Sequence, residues 1–168
     1  MGASIKVVEY YPAWVQLFEK LRDFVFPVLS DLVVTIEHVG STSVPGLSAK
    51  PIVDMDVVVS TLDDVHIAIQ RLTTLGYVHE GDLGATGREA FIPPDAVPWH
   101  HLYVCATDND EFKRHILFRD YLRSHPEDAK LYGDLKLELA QRFRNDRTAY
   151  SNSKSDFVKE ILKRAGWK

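Results

Sequence analysis

Residues 36–56 read IEHVGSTSVPGLSAKPIVDMD, and this stretch decides how the rest of the chain is interpreted. Gly40-Ser41 follows one predicted strand, and Asp54 and Asp56 alternate along the next one. Glycine lets backbone N–H groups approach a phosphate closely, and serine adds a hydroxyl donor. Side chains at positions i and i+2 of a strand point the same way, so the two aspartates can bind one hard cation together. The pattern therefore predicts a phosphate group held beside a divalent metal ion.

The composition predicts a single folded domain over residues 1–168. Hydrophobic residues make up 45% of the chain and charged residues 26%, a balance that supports a buried core. The net charge of −4 argues against extended nucleic acid as a partner but leaves room for a small nucleotide. The lone cysteine, Cys105, fits a reducing cytoplasm, and no apolar run indicates a membrane span. Met1-Gly2 resembles the start of a myristoylation motif, but Lys6 stands where that motif has Ser or Thr.

Hydrophobic periodicity predicts helices at both ends of the chain and strands between them. Apolar residues at helical spacing indicate a helix over 13–30. β-Branched and aromatic runs predict strands at residues 32–39, 52–59, 77–80, 89–92 and 99–106. Further helices are predicted after a Ser60-Thr61 cap, over 109–123, after a cap formed by Ser124 with Glu127, and from Phe157 to Gly166. The fold class is therefore α+β, with a mixed sheet of about five strands and a helical C-terminal part.

The run from Ile36 to Asp54 closely resembles the signature of the GrpB family, small bacterial proteins assigned to the nucleotidyltransferase-like superfamily. Other stretches are similar too: Tyr11-Pro12-x-Trp14, residues 118–123 (FRDYLR), Leu135-Lys136, and Tyr150 with Lys154. The resemblance implies a nucleotidyltransferase-like fold and, as the small-molecule partner, a nucleotide or phosphorylated cofactor. Some relatives are fused to dephospho-coenzyme A kinase, which points to nucleotide or cofactor metabolism.

The predicted strand at residues 99–106 departs from the nucleotidyltransferase pattern. Active members of that superfamily usually carry a third carboxylate on a later strand, whereas this strand begins WHHLYV. If Leu102 and Val104 face the core, His101 points to the other side, where it can act as a base or a metal ligand. Two aspartates with one histidine favour Mn²⁺ over Mg²⁺. The predicted catalytic and metal-binding residues are Asp54, Asp56 and His101.

A second set of residues is predicted to contact the phosphates or the base of the substrate. These residues are Gly40, Ser41, Ser43, Lys50, Arg88, Arg119, Tyr150 and Lys154. Each has a structural alternative, because serines can cap a short helix and charged side chains can form ion pairs. The aromatic side chains of Trp99, Tyr103 and Tyr121 can stack on a base, although core packing is their commoner use.

Three functions remain open from the sequence. The first is a metal-dependent transferase acting on a nucleoside triphosphate, with the aspartates holding the metal and His101 assisting attack on the α-phosphate. The second is a module that binds a nucleotide or cofactor without turnover, because the third carboxylate is missing. The third is a protein that binds a partner through its helical C-terminal third. No interface is evident from the sequence, so no oligomeric state is predicted.

Overall fold

The computed structural model describes residues 4–168, so Met1 and Gly2, the start of the myristoylation-like motif, lie outside the described residues. The elements of the described chain are α1 (Ala13–Leu29), β1 (Val33–Val39), β2 (Asp54–Val59), α2 (Leu62–Thr74), β3 (Val78–Gly81), β4 (Glu89–Ile92), β5 (His101–Ala106), α3 (Asp110–Ser124), α4 (Pro126–Arg142) and α5 (Arg147–Arg164). The predicted α+β class is confirmed, and most predicted elements lie within a few residues of their expected bounds. The last helix is the exception, because α5 begins at Arg147 and not near Phe157. Within residues 4–168, none of the helices combines the length and the apolar character needed to cross a bilayer.

The described residues form two compact units. The sheet unit comprises residues 13–39 and 52–113, and the helical unit comprises the described residues up to Pro12, residues 40–51 and residues 114–168. The loop that follows β1 therefore belongs to the helical unit, together with both ends of the described chain. A single domain over the whole sequence stays a prediction.

The sheet unit is built on a mixed five-stranded sheet in the order β1-β2-β5-β4-β3. β2 pairs antiparallel with β1 and parallel with β5, and β4 pairs antiparallel with both β5 and β3. A parallel pair needs a long crossover connection. The chain from α2 through β4 supplies it, which places β5 beside β2. The predicted mixed sheet of about five strands is confirmed.

One face of the sheet forms the main hydrophobic core with α1 and α2. Met55, Val57 and Val59 alternate along β2 and are fully buried in this core. Residues three or four apart share a helix face, so α1 presents one apolar stripe to the same core: Phe18, Leu21, Val25 and Leu29. The alternation that buries the β2 valines turns the two aspartates of the strand to its opposite face.

A buried polar pair lies inside the sheet unit. His100 is fully buried; its Nε2 atom lies 2.8 Å from the hydroxyl oxygen of Tyr77, and its Nδ1 atom lies 2.7 Å from the carbonyl oxygen of Pro98. Desolvation by burial lowers the pKa of His100, so the ring is neutral at pH 7. Nδ1–H then donates to the carbonyl of Pro98, and Nε2 accepts from the hydroxyl of Tyr77. His100 is therefore a structural residue.

Two hydrophobic clusters hold the helical unit together. The first joins the loop after β1 to the three C-terminal helices through Val44, Leu47, Leu122, Ala129, Tyr132 and Ile161. The second joins the N-terminal segment to α4 and α5 through Ile5, Leu139, Ala140 and Tyr150. Backbone hydrogen bonds between Val8 and Ala49 add an antiparallel bridge. The loop after β1 is thus fixed by contacts with residues that are distant in the sequence.

The two predicted helix caps have different outcomes. The hydroxyl oxygen of Thr61 accepts a hydrogen bond at 3.1 Å from a backbone N–H of the first turn, so the predicted cap of α2 is confirmed. The predicted cap formed by Ser124 and Glu127 is wrong. Ser124 donates its hydroxyl to the carbonyl oxygen of Asp120 at 2.8 Å, inside the preceding helix. α4 instead begins at Pro126, which suits a first turn because proline has no N–H to satisfy.

We predict that Thr61→Ala lowers the free energy of unfolding by about 1 kcal/mol, because the capping hydroxyl satisfies an N–H group at the helix start. Urea unfolding followed by circular dichroism measures the loss. Ser60→Ala replaces the neighbouring exposed serine and is the matched control, with an expected change below about 0.5 kcal/mol. Equal losses in the two variants would contradict the cap.

Candidate functional site

The polar residues predicted on β2 and β5 lie next to each other in the sheet. In the parallel register of these strands, Asp54 is the partner of His101 and Asp56 is the partner of Tyr103. Residues two apart in a strand share a face, so these four side chains lie on one face of the sheet. The structure thus places the three predicted catalytic and metal-binding residues on adjacent strands, on the face opposite the main core.

A short hydrogen bond joins Asp54 to His101. The Nδ1 atom of His101 lies 2.6 Å from the Oδ1 atom of Asp54, and the two side chains are 43% and 26% exposed, respectively. A hydrogen bond from one ring nitrogen to a carboxylate fixes the orientation of the imidazole and leaves the other nitrogen for a substrate. A histidine held in this way can accept or release a proton at Nε2.

Asp56 lies deeper than Asp54 and is 1% exposed. Burial, followed by the charges of Asp54 and Asp56, raises the pKa of Tyr103 to about 12, while the charge of Arg88 acts in the opposite direction. The guanidinium carbon of Arg88 lies 4.2 Å from the centroid of the Tyr103 ring, and its Nη1 atom lies 4.0 Å from a carboxylate oxygen of Glu111. Arg88, one of the predicted substrate contacts, therefore lies beside this cluster and partly balances its negative charge.

Cys105 takes no part in the chemistry of this face. It is fully buried on β5, and burial, with a smaller effect of the charge of Asp56, raises the pKa of its thiol to about 12. The thiolate is the reactive form of cysteine. Cys105 is therefore protonated at neutral pH and is not a nucleophile.

A preformed three-ligand metal site is absent from the part of the chain that the structure describes: no group of three or more His, Cys, Asp or Glu side chains is arranged to hold an ion there. Asp54 and Asp56 still offer two carboxylates on one face of one strand. Mg²⁺ commonly binds one or two carboxylates and completes its shell with water and substrate phosphates. Metal binding by His101 was also predicted. If His101 bound a metal ion through Nδ1, its hydrogen bond to Asp54 would have to break.

The turn over residues 40–43 belongs to the helical unit. Gly40 has a φ of 72°, a backbone conformation that residues with a Cβ atom rarely adopt. The hydroxyl of Ser43 donates to the carbonyl oxygen of Gly40 at 2.5 Å, and the Nε atom of Arg123 donates to the carbonyl oxygen of Ser43 at 2.9 Å. The hydroxyl proton of Ser43 is therefore used to close the turn. Phosphate contact by Gly40 and Ser41 stays a prediction.

Three of the predicted substrate contacts meet elsewhere in the helical unit. The Nζ atoms of Lys50 and Lys154 lie 5.0 and 4.9 Å from the centroid of the Tyr150 ring. Tyr150 is fully buried, and its hydroxyl has no hydrogen-bond partner among the described residues. Burial raises the pKa of Tyr150 to about 12, so the hydroxyl keeps a proton that it can donate. Two ammonium groups and a donor at one ring form a cluster suited to an anion.

Two further cations of the helical unit are buried. Arg119 is 9% exposed and donates from Nε to the carboxylate of Asp120 at 2.9 Å, which is the ion-pair alternative to substrate contact. Lys136 is 2% exposed, and its Nζ atom lies 4.7 Å from the centroid of the Tyr132 ring. Lys136 was not among the predicted site residues. Only the short Leu135-Lys136 similarity to the family could have identified it. A lysine on a helix is otherwise expected on the surface.

The chain belongs to the GrpB family, since the family model described as "GrpB protein" matches residues 4–164. The glutamate-rich protein GrpB of Alkalihalophilus pseudofirmus is 35% identical over 164 residues, which cover 95% of this chain and 94% of that protein. The UPF0157 protein YqkA of Bacillus subtilis is 32% identical over 166 residues, or 98% of this chain, and the match spans 48% of YqkA. A dephospho-CoA kinase of Mycolicibacterium paratuberculosis is 23% identical over 200 residues, covering 99% of this chain and 49% of the kinase.

Solved structures agree with the family and the fold. The crystal structure of GrpB from Enterococcus faecalis superimposes with a TM-score of 0.86 at 38% identity, covering 95% of this chain and 96% of that one. The nucleotidyltransferase Cid1, in complex with a UTP analog, gives a TM-score of 0.57 at 12% identity, covering 88% of this chain and 48% of Cid1. The second likeness shows the fold alone, which is nucleotidyltransferase-like.

Alkaline pH should destabilise this chain through Cys105 and Tyr103. Their pKa values in the folded state are about 12, compared with ordinary values of 9.0 and 10.0. Because the unfolded chain loses these protons first, the free energy of unfolding falls as the pH rises from about 9 towards about 12. Urea unfolding at about pH 8 and about pH 10.5 measures the fall, which Cys105→Ala should reduce by about 1–2 kcal/mol. The same pH dependence in the variant would contradict the raised pKa of Cys105.

Proposed function

We propose that this protein binds a nucleotide or phosphorylated cofactor together with a divalent metal ion on the face formed by β2 and β5. The observation that carries the proposal is the Asp54–His101 hydrogen bond beside Asp56, in a nucleotidyltransferase-like fold. Aspartate is disfavoured in strands, so the stability of the strand does not explain two aspartates on one of its faces, whereas a binding role does. A divalent ion bound there would neutralise phosphate charge and polarise the phosphoryl group.

The residues on this face fit a hard divalent ion. Asp54 and Asp56 would hold it through carboxylate oxygens, and ligand phosphates and water would complete its shell. Asp56 is almost fully buried, so a cation beside it would stabilise a charge that desolvation opposes. Mg²⁺ and Mn²⁺ both suit such oxygen donors, and a nitrogen from His101 would favour Mn²⁺.

The hydrogen bond to Asp54 favours His101 as a proton acceptor over His101 as a metal ligand. Nδ1 is directed at Asp54, so Nε2 is the atom available to a substrate hydroxyl. In nucleotidyl transfer, Nε2 would take the proton of the hydroxyl as its oxygen bonds to the α-phosphorus, while the bond from that phosphorus to the α–β bridging oxygen breaks and pyrophosphate leaves. Asp54 would stabilise the positive charge that then develops on the ring. Nucleotidyl transfer by this route is the reaction that we propose for the site.

Binding without turnover is the second candidate function, and the composition of β5 favours it. The β5 residues opposite Asp54 and Asp56 are His101 and Tyr103, so β5 supplies no third carboxylate at these positions. Tyr103 keeps its proton at neutral pH because its pKa is raised to about 12, and a neutral phenol does not replace a carboxylate. Such a site would retain affinity for nucleotide and metal without catalysing transfer.

The helical unit supports a separate contact with phosphate. Lys50 and Lys154 bring two ammonium groups to the ring of Tyr150, and the buried hydroxyl of Tyr150 can donate to an anion. Ammonium groups are effective phosphate ligands and need no metal ion to act. We therefore include phosphate binding at the Lys50–Tyr150–Lys154 cluster in the proposed function, independently of the β2–β5 face.

The substitution Asp54→Asn should abolish metal-dependent ligand binding and preserve the fold, because the amide keeps the shape of the side chain and removes its charge. Thermal-shift measurements would test nucleoside triphosphates, coenzyme A precursors and nucleotide sugars, each with Mg²⁺ or Mn²⁺. We expect at least one combination to raise the Tm of the wild type, since a ligand that binds only the folded state stabilises it. The variant should lose that shift.

Asp23→Asn is the matched control for this experiment. Asp23 is an exposed aspartate on α1, and its change to asparagine removes the same charge as Asp54→Asn does. The control should keep the full shift. The proposal is wrong if no combination shifts the wild type, or if Asp54→Asn responds as the wild type does. Product analysis of the shifting combination then separates transfer from binding without turnover.

Inorganic tripolyphosphate without metal should bind the Lys50–Tyr150–Lys154 cluster. The double substitution Lys50→Gln and Lys154→Gln should weaken binding by at least about tenfold, because hydrogen bonds to charged groups contribute about 1.5–3 kcal/mol each. Isothermal calorimetry measures the affinity, with Lys130→Gln, an exposed lysine on α4, as the control. Unchanged affinity in the double variant would refute the cluster as a phosphate site.

Tyr150→Phe provides an independent check on the same cluster. It removes only the hydroxyl, which is buried without a hydrogen-bond partner among the described residues. The variant should bind tripolyphosphate more weakly, yet unfold with an unchanged or higher free energy in the absence of ligand. A clear loss of stability without ligand would show that the hydroxyl has a structural partner.

A further inference from the structure

A cavity of about 160 Å³ lies beside β5 in the sheet unit. Its wall includes Glu80, Leu83, Phe91, Trp99, His101 and Tyr103. His101 belongs both to this wall and to the hydrogen bond with Asp54. A group bound in the cavity would therefore lie next to the polar cluster of the β2–β5 face.

Two large apolar side chains of the cavity wall are open to solvent. Trp99 is 56% exposed and Leu83 is 62% exposed. Tryptophan is highly buried on average in folded proteins, and ligand pockets are lined by apolar and aromatic side chains. The exposed indole of Trp99 thus offers a flat surface on which a planar ligand group can stack.

The loop between β3 and β4 holds Leu83 on this wall in a strained conformation. Leu83 has a φ of 51°, in the left-handed region that residues other than glycine rarely occupy. Hydrogen bonds order the loop: the N–H of Gly84 donates to the carboxylate of Asp82 at 2.9 Å, and Asn109 donates to the carbonyl oxygen of Thr86 at 3.0 Å. Strain of this kind is concentrated at binding sites, where the surrounding structure maintains it.

We propose that this cavity binds the pyrimidine base of a nucleoside or nucleotide. An apolar cavity of about 150 Å³ accommodates one benzene ring, so a cavity of about 160 Å³ matches a single six-membered ring more closely than a fused purine. Trp99 provides a stacking surface, and the carboxylate of Glu80 accepts a hydrogen bond from an N–H group of the base. The inference rests on the proposed function and deepens it by naming the class of base.

The position of His101 gives the base a place in the proposed reaction. A sugar attached to a pyrimidine in the cavity would lie close to His101, because His101 lines the same wall. His101 is also the residue proposed to take a proton from the attacking hydroxyl. The cavity therefore fits the nucleoside that supplies this hydroxyl, rather than the triphosphate that is attacked.

Tryptophan fluorescence and calorimetry test the pyrimidine site without metal or phosphate. Cytidine and uridine should quench the fluorescence of Trp99 saturably, and adenosine should bind at least about tenfold more weakly, because its base has two fused rings. By calorimetry, which needs no reporter residue, Trp99→Leu should bind cytidine at least about tenfold more weakly. Trp14→Phe is the control, because Trp14 is 4% exposed and lies in the core, and it should keep both the quenching and the affinity.

The substitution Leu83→Gly distinguishes the effect of backbone strain on stability from the effect of the leucine side chain on cytidine binding. Glycine adopts the left-handed conformation freely, so the variant should have an unchanged or higher Tm while it binds cytidine more weakly. The pyrimidine site is refuted if neither cytidine nor uridine binds the wild type, if adenosine binds as tightly as they do, or if Trp99→Leu binds them normally.

The failure of this inference is distinguishable from failure of the proposed function. Binding of a nucleoside triphosphate with metal that is abolished in Asp54→Asn, without any binding of cytidine or uridine, would retain the proposed function and refute the pyrimidine site. Cytidine binding that depends on Trp99, without any metal-dependent binding of nucleotides, would retain the pyrimidine site and refute the metal-dependent function.

Discussion

The parallel pairing of β2 with β5 is the interaction on which the rest of the sheet unit depends. Met55 and Val57 are fully buried on one face of β2, so the hydrophobic core fixes the register of the strand. A slip by one residue would turn these side chains out of the core and bring Asp54 into it. The same register places Asp54 opposite His101. The alternation of side chains along β2 therefore produces both the core and the polar cluster. Burial of the apolar side chains on one face maintains the positions of the aspartates on the other.

Local patterns in the sequence were sufficient to predict most of the helices and strands and the polar residues of the β2–β5 face. Asp54 and His101 were selected because alternation along a strand can be read from a few neighbouring residues. The N-cap at Thr61 was predicted for the same reason, whereas the cap at Ser124 was wrong because Pro126 determines where that helix begins. The order of strands, and hence the contact between Asp54 and His101, depends on long-range pairing that no local pattern contains.

The helical unit contains contacts that local sequence patterns could not predict. Lys50 was selected for its position between the Gly-Ser turn and the aspartates, and Tyr150 and Lys154 lie in a stretch similar to the family. Nothing in their separation along the chain indicated that Lys50 would meet the other two. The contact follows from the hydrophobic clusters that fix the loop after β1 on the C-terminal helices. The cavity wall at Leu83 and Glu80 was not anticipated either, because a left-handed leucine has no signature in composition or periodicity.

Features that lower stability are the common element of the candidate sites. Asp56 is an almost fully buried carboxyl group, Leu83 is strained, Trp99 exposes an indole, and Tyr150 buries a hydroxyl without a hydrogen-bond partner among the described residues. Stable folding requires none of these features, and each has a simple replacement that would remove its cost. Local conflicts of this kind are expected where a chain binds or transforms something. The similarity to nucleotidyltransferases identifies the fold, whereas the positions of these unfavourable groups indicate where a ligand would bind.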